Sequence, residues 1–425
     1  MSHNLVKLDV QSEIGKLEAV LIHSPGAEVE NMTPRNAQRA LYSDILNLSI
    51  AQKEYEQVLG VLEKISKIFQ VKDLLTKLLE DHYEREALIG KICVTEDVTD
   101  YFEYLMDMSS KNLAQVLIEG LPAKINTLTA YLKDDYYALL PLYNFYFTRD
   151  ASVSIGNKAL ICRMASKVRM RESIITEAIF KNKKFFDCEL INAYDFQPGN
   201  NEIYMEGGDI LIAREDILLI GNGMRTSSQG IDMLLNRLCK SSGPEKRHII
   251  VQQLPSSPES FIHLDMVFTL LDVDKAMVFE PLILGENQYQ TVNMIIEGGR
   301  VSKIKSVNNI PSVLKKLGME IEPIICGGIT DEWNKEREQW HSGANLFAFA
   351  PGKVMSYARN IHTLNELDKS GFEIIPAWDV IGGKKDLNKV NKCVVTIDGS
   401  ELPRGGGGAR CMTMPLRRSA VEWPK

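Results

Sequence analysis

From about residue 137 onward, short apolar runs alternate with segments of helical periodicity, and this alternation limits the fold more than any other feature. The apolar runs include ALLPLYNFYF, DILIA, DILLIG, HIIVQQL, AMVFEP and FEIIP. The helical segments include MRESIITEAIFK and SSQGIDMLLNRLCK. Short apolar runs are typical of strands, whereas apolar residues at every third or fourth position indicate helices. Their alternation predicts an α/β fold.

The chain before residue 137 has a different character. GKLEAVLIHSPG predicts a strand that ends at Pro25 and Gly26, and residues 35–70 have the pattern of a helix. Residues 70–135 carry apolar side chains at helical spacing with few β-branched runs. We expect this segment to be an inserted helical subdomain.

Charge and cysteine content restrict the partners and the compartment. The 425 residues carry a formal net charge of -7, whereas nucleic-acid and anionic-membrane partners favour a basic surface. The N-terminus lacks a basic stretch followed by an apolar one, and no segment reaches the roughly 18 apolar residues of a membrane span. We therefore expect a cytoplasmic protein without nucleic-acid or membrane partners. Its seven cysteines show no CxxC spacing and are expected to be reduced thiols.

The stretch HLDMVF, residues 263–268, carries a histidine and an aspartate among apolar residues. If it forms a strand, His263 and Asp265 point to the same face, because side chains alternate along a strand. A histidine that shares a face with a carboxylate is a candidate general acid/base. A structural core histidine is the alternative.

Two further stretches place carboxylates beside strand ends or glycines. NFYFTRD alternates like a strand and ends at Asp150, which could instead cap a turn or helix. In MEGGDI, Gly207 and Gly208 predict a bulge or tight bend, and Glu206 could be a surface charge. A metal site is the rival interpretation of these carboxylates with His263, but no HxxxH or paired-cysteine spacing supports one.

A cysteine follows four consecutive glycines in RGGGGARCMTMP. Gly405–Gly408 allow positive φ angles and a close approach to a ligand. Arg410 could lower the pKa of the Cys411 thiol by favouring the thiolate. The alternative is a flexible loop with a buried, inert thiol. A phosphate-binding loop is disfavoured because no Lys-Ser/Thr follows the glycines.

In this order, the motifs resemble those of the arginine deiminase family of guanidine-modifying enzymes. The resemblance spans nearly the whole chain, through SEIGKLEAVLIHSPG, FTRD, EGGD, MRTS, HLDMVF, REQWHSGAN, ARN and RCMTMP. It implies that residues 1–425 form a single catalytic domain, a pentein, in which five pseudo-symmetric ββαβ units make an α/β propeller around a central site. Residues 70–135 would be its helical insertion, and a homo-oligomer is the family expectation.

The resemblance also assigns roles to individual residues. Cys411 matches the nucleophile, His263 the general acid/base and Glu206 the carboxylate that pairs with the histidine. Asp150 and Asp265 match the two carboxylates that bind the guanidinium. The positions that hold the amino-acid end of the substrate are matched by Asn144, Arg169 and Arg225.

The implied reaction is the hydrolysis of free L-arginine to citrulline and ammonia through a covalent thiouronium on Cys411. Two carboxylates suit a planar, strongly basic guanidinium because each can accept its N–H groups in charge-assisted hydrogen bonds. No metal or organic cofactor is expected. The alternatives are an amidinotransferase or a hydrolase of another guanidine or ureido compound such as citrulline, a non-catalytic guanidine-binding relative, and a cysteine peptidase.

The sequence departs from the family pattern at two places. Family members usually have adjacent aspartates and a tryptophan where this chain has YSDILN, so Ser43 replaces an acid and Asn47 the tryptophan. Many members also have an arginine five residues before the cysteine, where this chain has Gly406. Both differences could reshape the substrate pocket, and Arg404 or Arg410 could compensate.

Overall fold

The computed structural model describes residues 5–32, 42, 44–125, 127–132, 136–196, 202–241 and 243–424. Within this part of the chain, five sheets share one topology. The first strand of each sheet pairs antiparallel with the second, and the third strand pairs parallel with the second. A helix connects the second strand to the third, as a parallel pairing requires a crossover. The predicted α/β fold is therefore confirmed.

We number the sheets 1 to 5 by the position of their second strand in the chain. Sheets 1 and 2 consist of Met414–Arg418, Leu17–Ile22 and Lys67–Gln70, and of Ser152–Ile155, Lys158–Ile161 and Glu189–Asn192. Sheets 3, 4 and 5 contain Ile210–Arg214, Ile217–Asn222 and Lys246–Gln253; Phe268–Leu270, Lys275–Val278 and Glu322–Ile325; and Phe347–Ala350, Lys353–Tyr357 and Cys393–Ile397. The connecting helices in the same order include Leu48–Ile65, Met170–Lys181, Ser228–Leu238, Ile310–Lys316 and Ile361–Lys369.

Further strands extend or accompany these sheets. Sheet 3 continues through the hairpin of Thr291–Glu297 and Arg300–Val307, and Glu373–Pro376 pairs with the third strand of sheet 5. Two short pairs are Val6–Lys7 with Phe186–Asp187, and Leu121–Pro122 with Tyr137–Leu139. The other α-helices are Ala27–Glu30, Val71–Leu78, His82–Thr95, Phe102–Met106, Ser110–Glu119, Leu128–Leu132, Thr148–Ala151, Glu280–Ile283, Glu332–Trp340 and Ala377–Ile381. Among the described residues, no helix is long and apolar enough to cross a bilayer.

The helix Leu48–Ile65 shows how local sequence sets an element. It begins at Asn47, whose side chain accepts a hydrogen bond from the Ile50 N–H and so caps the first turn. It buries one face, which includes Tyr55 and Val58, against sheets 1 and 5. The same helix also buries Glu54, whose carboxylate accepts a hydrogen bond from the Ser400 N–H, just before the glycine run. The helix therefore links the N-terminal part of the chain to the loop that carries Cys411.

Most predicted elements are confirmed, and the errors fall beside the candidate site residues. The helix MRESIITEAIFK and the strands DILIA and DILLIG lie where predicted. The helix predicted over 35–70 is described over Leu48–Ile65 and ends before the strand Lys67–Gln70; residues 33–41 and 43 lie outside the described part. Residues 70–135 contain several of the helices above and the short strand Leu121–Pro122.

HLDMVF and NFYFTRD were predicted as strands, and both predictions are wrong. Leu264–Met266 forms a single 3-10 turn before the strand Phe268–Leu270, because the Leu264 N–H donates to the Asp209 carboxylate instead of to a neighbouring strand. Residues 143–146 form turns, and Thr148–Ala151 is one helical turn. The backbone there is hydrogen-bonded locally, as from Phe147 N–H to Asn144 O.

Candidate active site

Most of the candidate residues lie in turns that lead into the first strands of the sheets, whereas Arg169 and Arg225 follow second strands. Asp150 precedes Ser152–Ile155 of sheet 2. Glu206 precedes the 3-10 turn before Ile210–Arg214 of sheet 3, and Asp209 ends it. His263 and Asp265 precede sheet 4, and Cys411 precedes the first strand of sheet 1. Because the first turns of several sheets meet, residues far apart in sequence come together.

His263 lies between two carboxylates. Its Nε2 is 3.0 Å from Glu206 Oε2, and its Nδ1 is 3.7 Å from Asp150 Oδ1. The three side chains are almost completely buried. Burial favours the neutral ring, but Asp150, the hydrogen bond to Glu206 and Asp209 outweigh it and raise the pKa of His263 to about 9. A protonated imidazole at neutral pH can act as a general acid.

Glu206 is held as a carboxylate in the interior. Burial alone would raise its pKa, but Arg225, His263 and Arg169 lower the pKa of Glu206 to about 2. The nearest Arg225 nitrogen is 3.6 Å from Oε1, which also accepts a hydrogen bond from the Ala165 N–H. Glu206 is thus a fixed anion that orients His263.

Cys411 lies against Asp265. Its Sγ is 3.7 Å from Asp265 Oδ2, and the residue is 3% exposed. Burial raises the pKa of the Cys411 thiol well above its ordinary value, Asp265 and Asp150 raise it further, and Arg410 opposes them with a smaller effect. Arg410 thus acts in the expected direction, but burial and the two carboxylates outweigh it, so the thiol is favoured. A cation bound beside the sulfur would favour the thiolate.

Asp150 and Asp265 each accept side-chain hydrogen bonds on one oxygen only. Asp150 Oδ2 is 2.7 Å from an Arg169 nitrogen, and Asp265 Oδ2 is 2.7 Å from an Arg410 nitrogen. The second oxygen of each carboxylate, Oδ1, is buried and has no hydrogen-bond partner among the described residues. Buried carboxylate oxygens without donors are costly, so each of these two atoms has the capacity to accept a further N–H group.

The residues predicted to hold the amino-acid end of the substrate lie beside this pair of acids. Arg169 is buried and is held by Glu172 as well as Asp150, and one of its nitrogens donates to the Asn144 backbone oxygen at 3.4 Å. Arg225 lies next to Glu206. Contacts connect six of the predicted residues into one group: Asn144, Arg169, Asp150, His263, Glu206 and Arg225. Cys411 contacts Asp265, and Asp150 is close enough to raise the pKa of the Cys411 thiol.

Sequence reasoning missed two residues that contact the site. Asn345 precedes the first strand of sheet 5, and its Nδ2 donates to Cys411 Sγ at 3.2 Å. Glu13 accepts two hydrogen bonds from Arg410 at 3.0 Å, which fixes the arginine that holds Asp265. Both residues lie in stretches that the resemblance includes, REQWHSGAN and SEIGKLEAVLIHSPG, which was the available signal. Nothing within either stretch indicated the partners Cys411 and Arg410.

The departures from the family pattern have partial structural explanations. Ser43 lies outside the described residues. Asn47 caps a helix, and its N–H donates to Glu401. Gly406 has φ +81°, and a Cβ there would meet no atom within 4 Å. Arg404 pairs with Asp44 near the surface, whereas Arg410 is buried against Asp265.

Asp150, Glu206 and His263 also place ligand atoms within 4.8 Å of one another, which is close enough for a metal ion. Arg169 and Arg225 already pair with these carboxylates. In the described residues these carboxylates are thus paired with guanidinium groups. The expected absence of a metal stays a prediction.

The five sheets of shared strand order define a mixed α/β fold, with the candidate residues buried in the connecting turns. Solved structures with a similar fold include an amidinotransferase from Microseira wollei, with a TM-score of 0.52, 14% identity and 98% of both chains covered. DDAH from Pseudomonas aeruginosa, in complex with citrulline, gives a TM-score of 0.50 and 15% identity, with 94% of this chain and 99% of that chain covered.

Sequence comparisons are more specific. The family model described as Arginine deiminase matches residues 38–418. The arginine deiminase of Mycoplasma capricolum is 32% identical over 424 residues, with 98% of both proteins covered. That of Staphylococcus aureus is 32% identical over 432 residues, covering 97% of this chain and 99% of the relative. This chain belongs to the arginine deiminase family, as the motifs predicted.

Proposed function

We propose that the protein hydrolyses the guanidinium of free L-arginine to citrulline and ammonia. The observation that carries this proposal is that Asp150 and Asp265 each have a buried oxygen without a hydrogen-bond donor, while Asp265 also contacts the Cys411 sulfur. A guanidinium presents several N–H donors in one plane, so two carboxylates can accept them from two sides. Its positive charge also favours the Cys411 thiolate, whose formation the free site opposes.

The first half of the reaction replaces ammonia by the cysteine. The Cys411 thiolate attacks the guanidinium carbon, a C–S bond forms, and the C=N electron pair moves onto nitrogen. His263 then gives its proton to the departing amino group, the C–N bond breaks, and ammonia leaves. Glu206 and Asp150 favour the protonated ring that this step requires. A thiouronium remains on Cys411.

The second half of the reaction hydrolyses the thiouronium and regenerates free Cys411. Neutral His263 takes a proton from a water molecule, and the resulting hydroxide adds to the thiouronium carbon. The C–S bond breaks, its electron pair returns to sulfur, and the hydroxyl proton is lost as the ureido C=O forms. The released ammonia takes up that proton, so arginine and water give citrulline and ammonium.

The test is a turnover assay of the purified protein with free arginine, in which citrulline and ammonia are both measured. We expect equal amounts of the two products and, after rapid acid quenching, an adduct on Cys411 with the mass of arginine less ammonia. An amine acceptor is added in a parallel reaction. Transfer to that acceptor would reject hydrolysis, and turnover of citrulline or another guanidine without arginine turnover would reject the substrate.

We also infer that the five sheets surround the site as the blades of a pseudo-symmetric propeller, with residues 70–135 inserted into one catalytic domain. The shared strand order and the position of site residues before the first strands support this arrangement. An experimental structure with a bound guanidine would test both the symmetry and the eight assigned residues. The homo-oligomer, the cytoplasmic location and the lack of a nucleic-acid partner stay predictions.

A further inference from the structure

The Cys411 sulfur lies where a negative charge is poorly tolerated. It is buried, and the nearest Asp265 oxygen is only 3.7 Å away. The mechanism nevertheless requires a thiolate twice, at attack and when the C–S bond breaks. A hydrogen-bond donor aimed at the sulfur is therefore expected, because such a donor stabilises the charged form. Asn345 provides it, with Nδ2 at 3.2 Å from Sγ.

The orientation of the Asn345 amide is determined by its other partners. Its Oδ1 accepts hydrogen bonds from the backbone N–H groups of Arg410 at 3.1 Å and of Cys411 at 3.3 Å. Its Nδ2 also donates to the Asp265 backbone oxygen at 3.1 Å. A flipped amide would place NH2 against two N–H donors and oxygen against a carbonyl. The N–H must therefore face the sulfur.

The Asn345 side chain has little freedom to move away. The residue is 1% exposed. Gly408 lies close to this side chain, since a Cβ at position 408 would be 2.7 Å from Asn345 Oδ1 and 2.8 Å from its Cβ. The Asn345 N–H donates to Ser342 O, which closes the preceding turn. A donor held in this way is preorganised and needs no rearrangement when charge develops.

We propose that Asn345 is a catalytic residue whose amide N–H stabilises the Cys411 thiolate before attack and again as the sulfur leaves. This role rests on the proposed function for its place in the reaction, while the contact between amide and sulfur can be tested without arginine. During attack the sulfur electron pair enters the new C–S bond and the hydrogen bond weakens. When that bond breaks, the pair returns to sulfur and the hydrogen bond strengthens.

The experiment measures thiolate formation directly. Alkylation of Cys411 by iodoacetamide is followed by mass spectrometry as a function of pH, because the thiolate is the reactive form. Two variants separate the donor from the acceptor. Asn345→Ala removes both groups, whereas Asn345→Asp keeps an oxygen for the Arg410 and Cys411 N–H groups and replaces only the donor. Asn293→Asp, a buried asparagine in the hairpin next to sheet 3, is the matched control.

We expect the alkylation midpoint to rise by about one pH unit in Asn345→Ala, equivalent to a tenfold slower reaction at a fixed pH below both midpoints. It should rise further in Asn345→Asp, whose carboxylate repels the thiolate, and stay unchanged in the control. The turnover number for arginine should fall in the same order.

Other results overturn the proposal. Midpoints equal to wild type in both variants would show that the amide does not act on the sulfur. A shift in Asn345→Ala with a wild-type midpoint in Asn345→Asp would mean that only the acceptor matters, as a loop support. If Asn345→Ala does not fold, Asn345→Asp alone decides between these outcomes. Failure of the wild type to hydrolyse arginine would reject the proposed function and leave this test intact.

Discussion

The pairing of Glu206 with His263 makes a prediction whose size follows from the structure. Glu206→Gln keeps the shape of the side chain and removes the charge that lies 3.0 Å from His263 Nε2. A hydrogen bond to a charged group contributes about 1.5–3 kcal/mol, and one pKa unit corresponds to about 1.4 kcal/mol. The pKa of His263, about 9 in the parent, should therefore fall by about 1–2 units.

The assay is a pH titration by NMR of protein labelled with ¹³C at histidine Cε1. It is performed in the Cys411→Ser background so that thiol ionisation does not contribute, and the His263 signal is identified by its loss in His263→Gln. Glu177→Gln, which removes a buried carboxylate that pairs with Lys91 and Lys181, is the control. An unchanged or higher midpoint in Glu206→Gln would refute the reasoning.

The same shift predicts how stability depends on pH. Because the pKa of His263 is raised from 6.5 to about 9, the folded protein binds this proton more tightly than the unfolded chain. The contribution, about 3 kcal/mol, is complete below pH 6.5 and is lost as the pH rises through 9. Glu206→Gln should lose less stability than the parent between pH 7 and pH 10 in urea unfolding.

Three further changes have defined outcomes. Cys411→Ser should lower citrulline formation by orders of magnitude, whereas Cys393→Ser in the third strand of sheet 5 should change it little; equal losses would contradict the assignment of the nucleophile. Glu54→Gln weakens the hydrogen bonds to the N–H groups of residues 400–402, so the free energy of unfolding should fall by about 1–3 kcal/mol in urea titrations, and an unchanged value would show that these bonds contribute nothing. Gly408→Ala places a Cβ 2.6 Å from the Asn345 backbone oxygen and should abolish turnover. In Gly406→Ala the Cβ meets no atom within 4 Å, so this variant should lose only about 1–2 kcal/mol of stability through backbone strain. Higher activity in Gly408→Ala than in Gly406→Ala would contradict the packing of the loop.

The regular elements could be predicted because their signals are local. Met170–Lys181 was predicted at its observed bounds, and the apolar runs around Ile210 and Ile217 form strands. The turns before the first strands were mistaken for strands, because alternation over a few residues does not distinguish the two. The backbone of HLDMVF bonds to Asp209, 55 positions away. No pattern within the stretch contains that partner.

The contacts within the candidate site were harder to predict from each stretch of sequence alone. His263 and Asp265 were expected to act together from one strand face, but His263 contacts Glu206 and Asp265 contacts Arg410. Their roles could be predicted only from the order of several motifs along the chain. Asn345 carries no charge, so neither titration chemistry nor ligand spacing pointed to it.

The position of each residue within its sheet, rather than its spacing in the sequence, explains which residues belong to the candidate site. Cys411 stands three positions before Met414, and Asp265 three before Phe268; Asn345 stands two before Phe347, as Asp150 does before Ser152. The turn before each first strand ends where the apolar run begins. Its polar side chains can therefore face a common interior while the strand that follows packs in the core. A thiol, carboxylates, an imidazole and an amide thus occupy equivalent turns although more than 250 positions separate Asp150 from Cys411. The informative comparison between the sheets is therefore the side-chain type at each of these turn positions, not the local sequence pattern. By that comparison the Asn345 amide before the fifth sheet is the group that donates to the Cys411 sulfur, and a substitution there should alter the reactivity of the sulfur before it alters the fold.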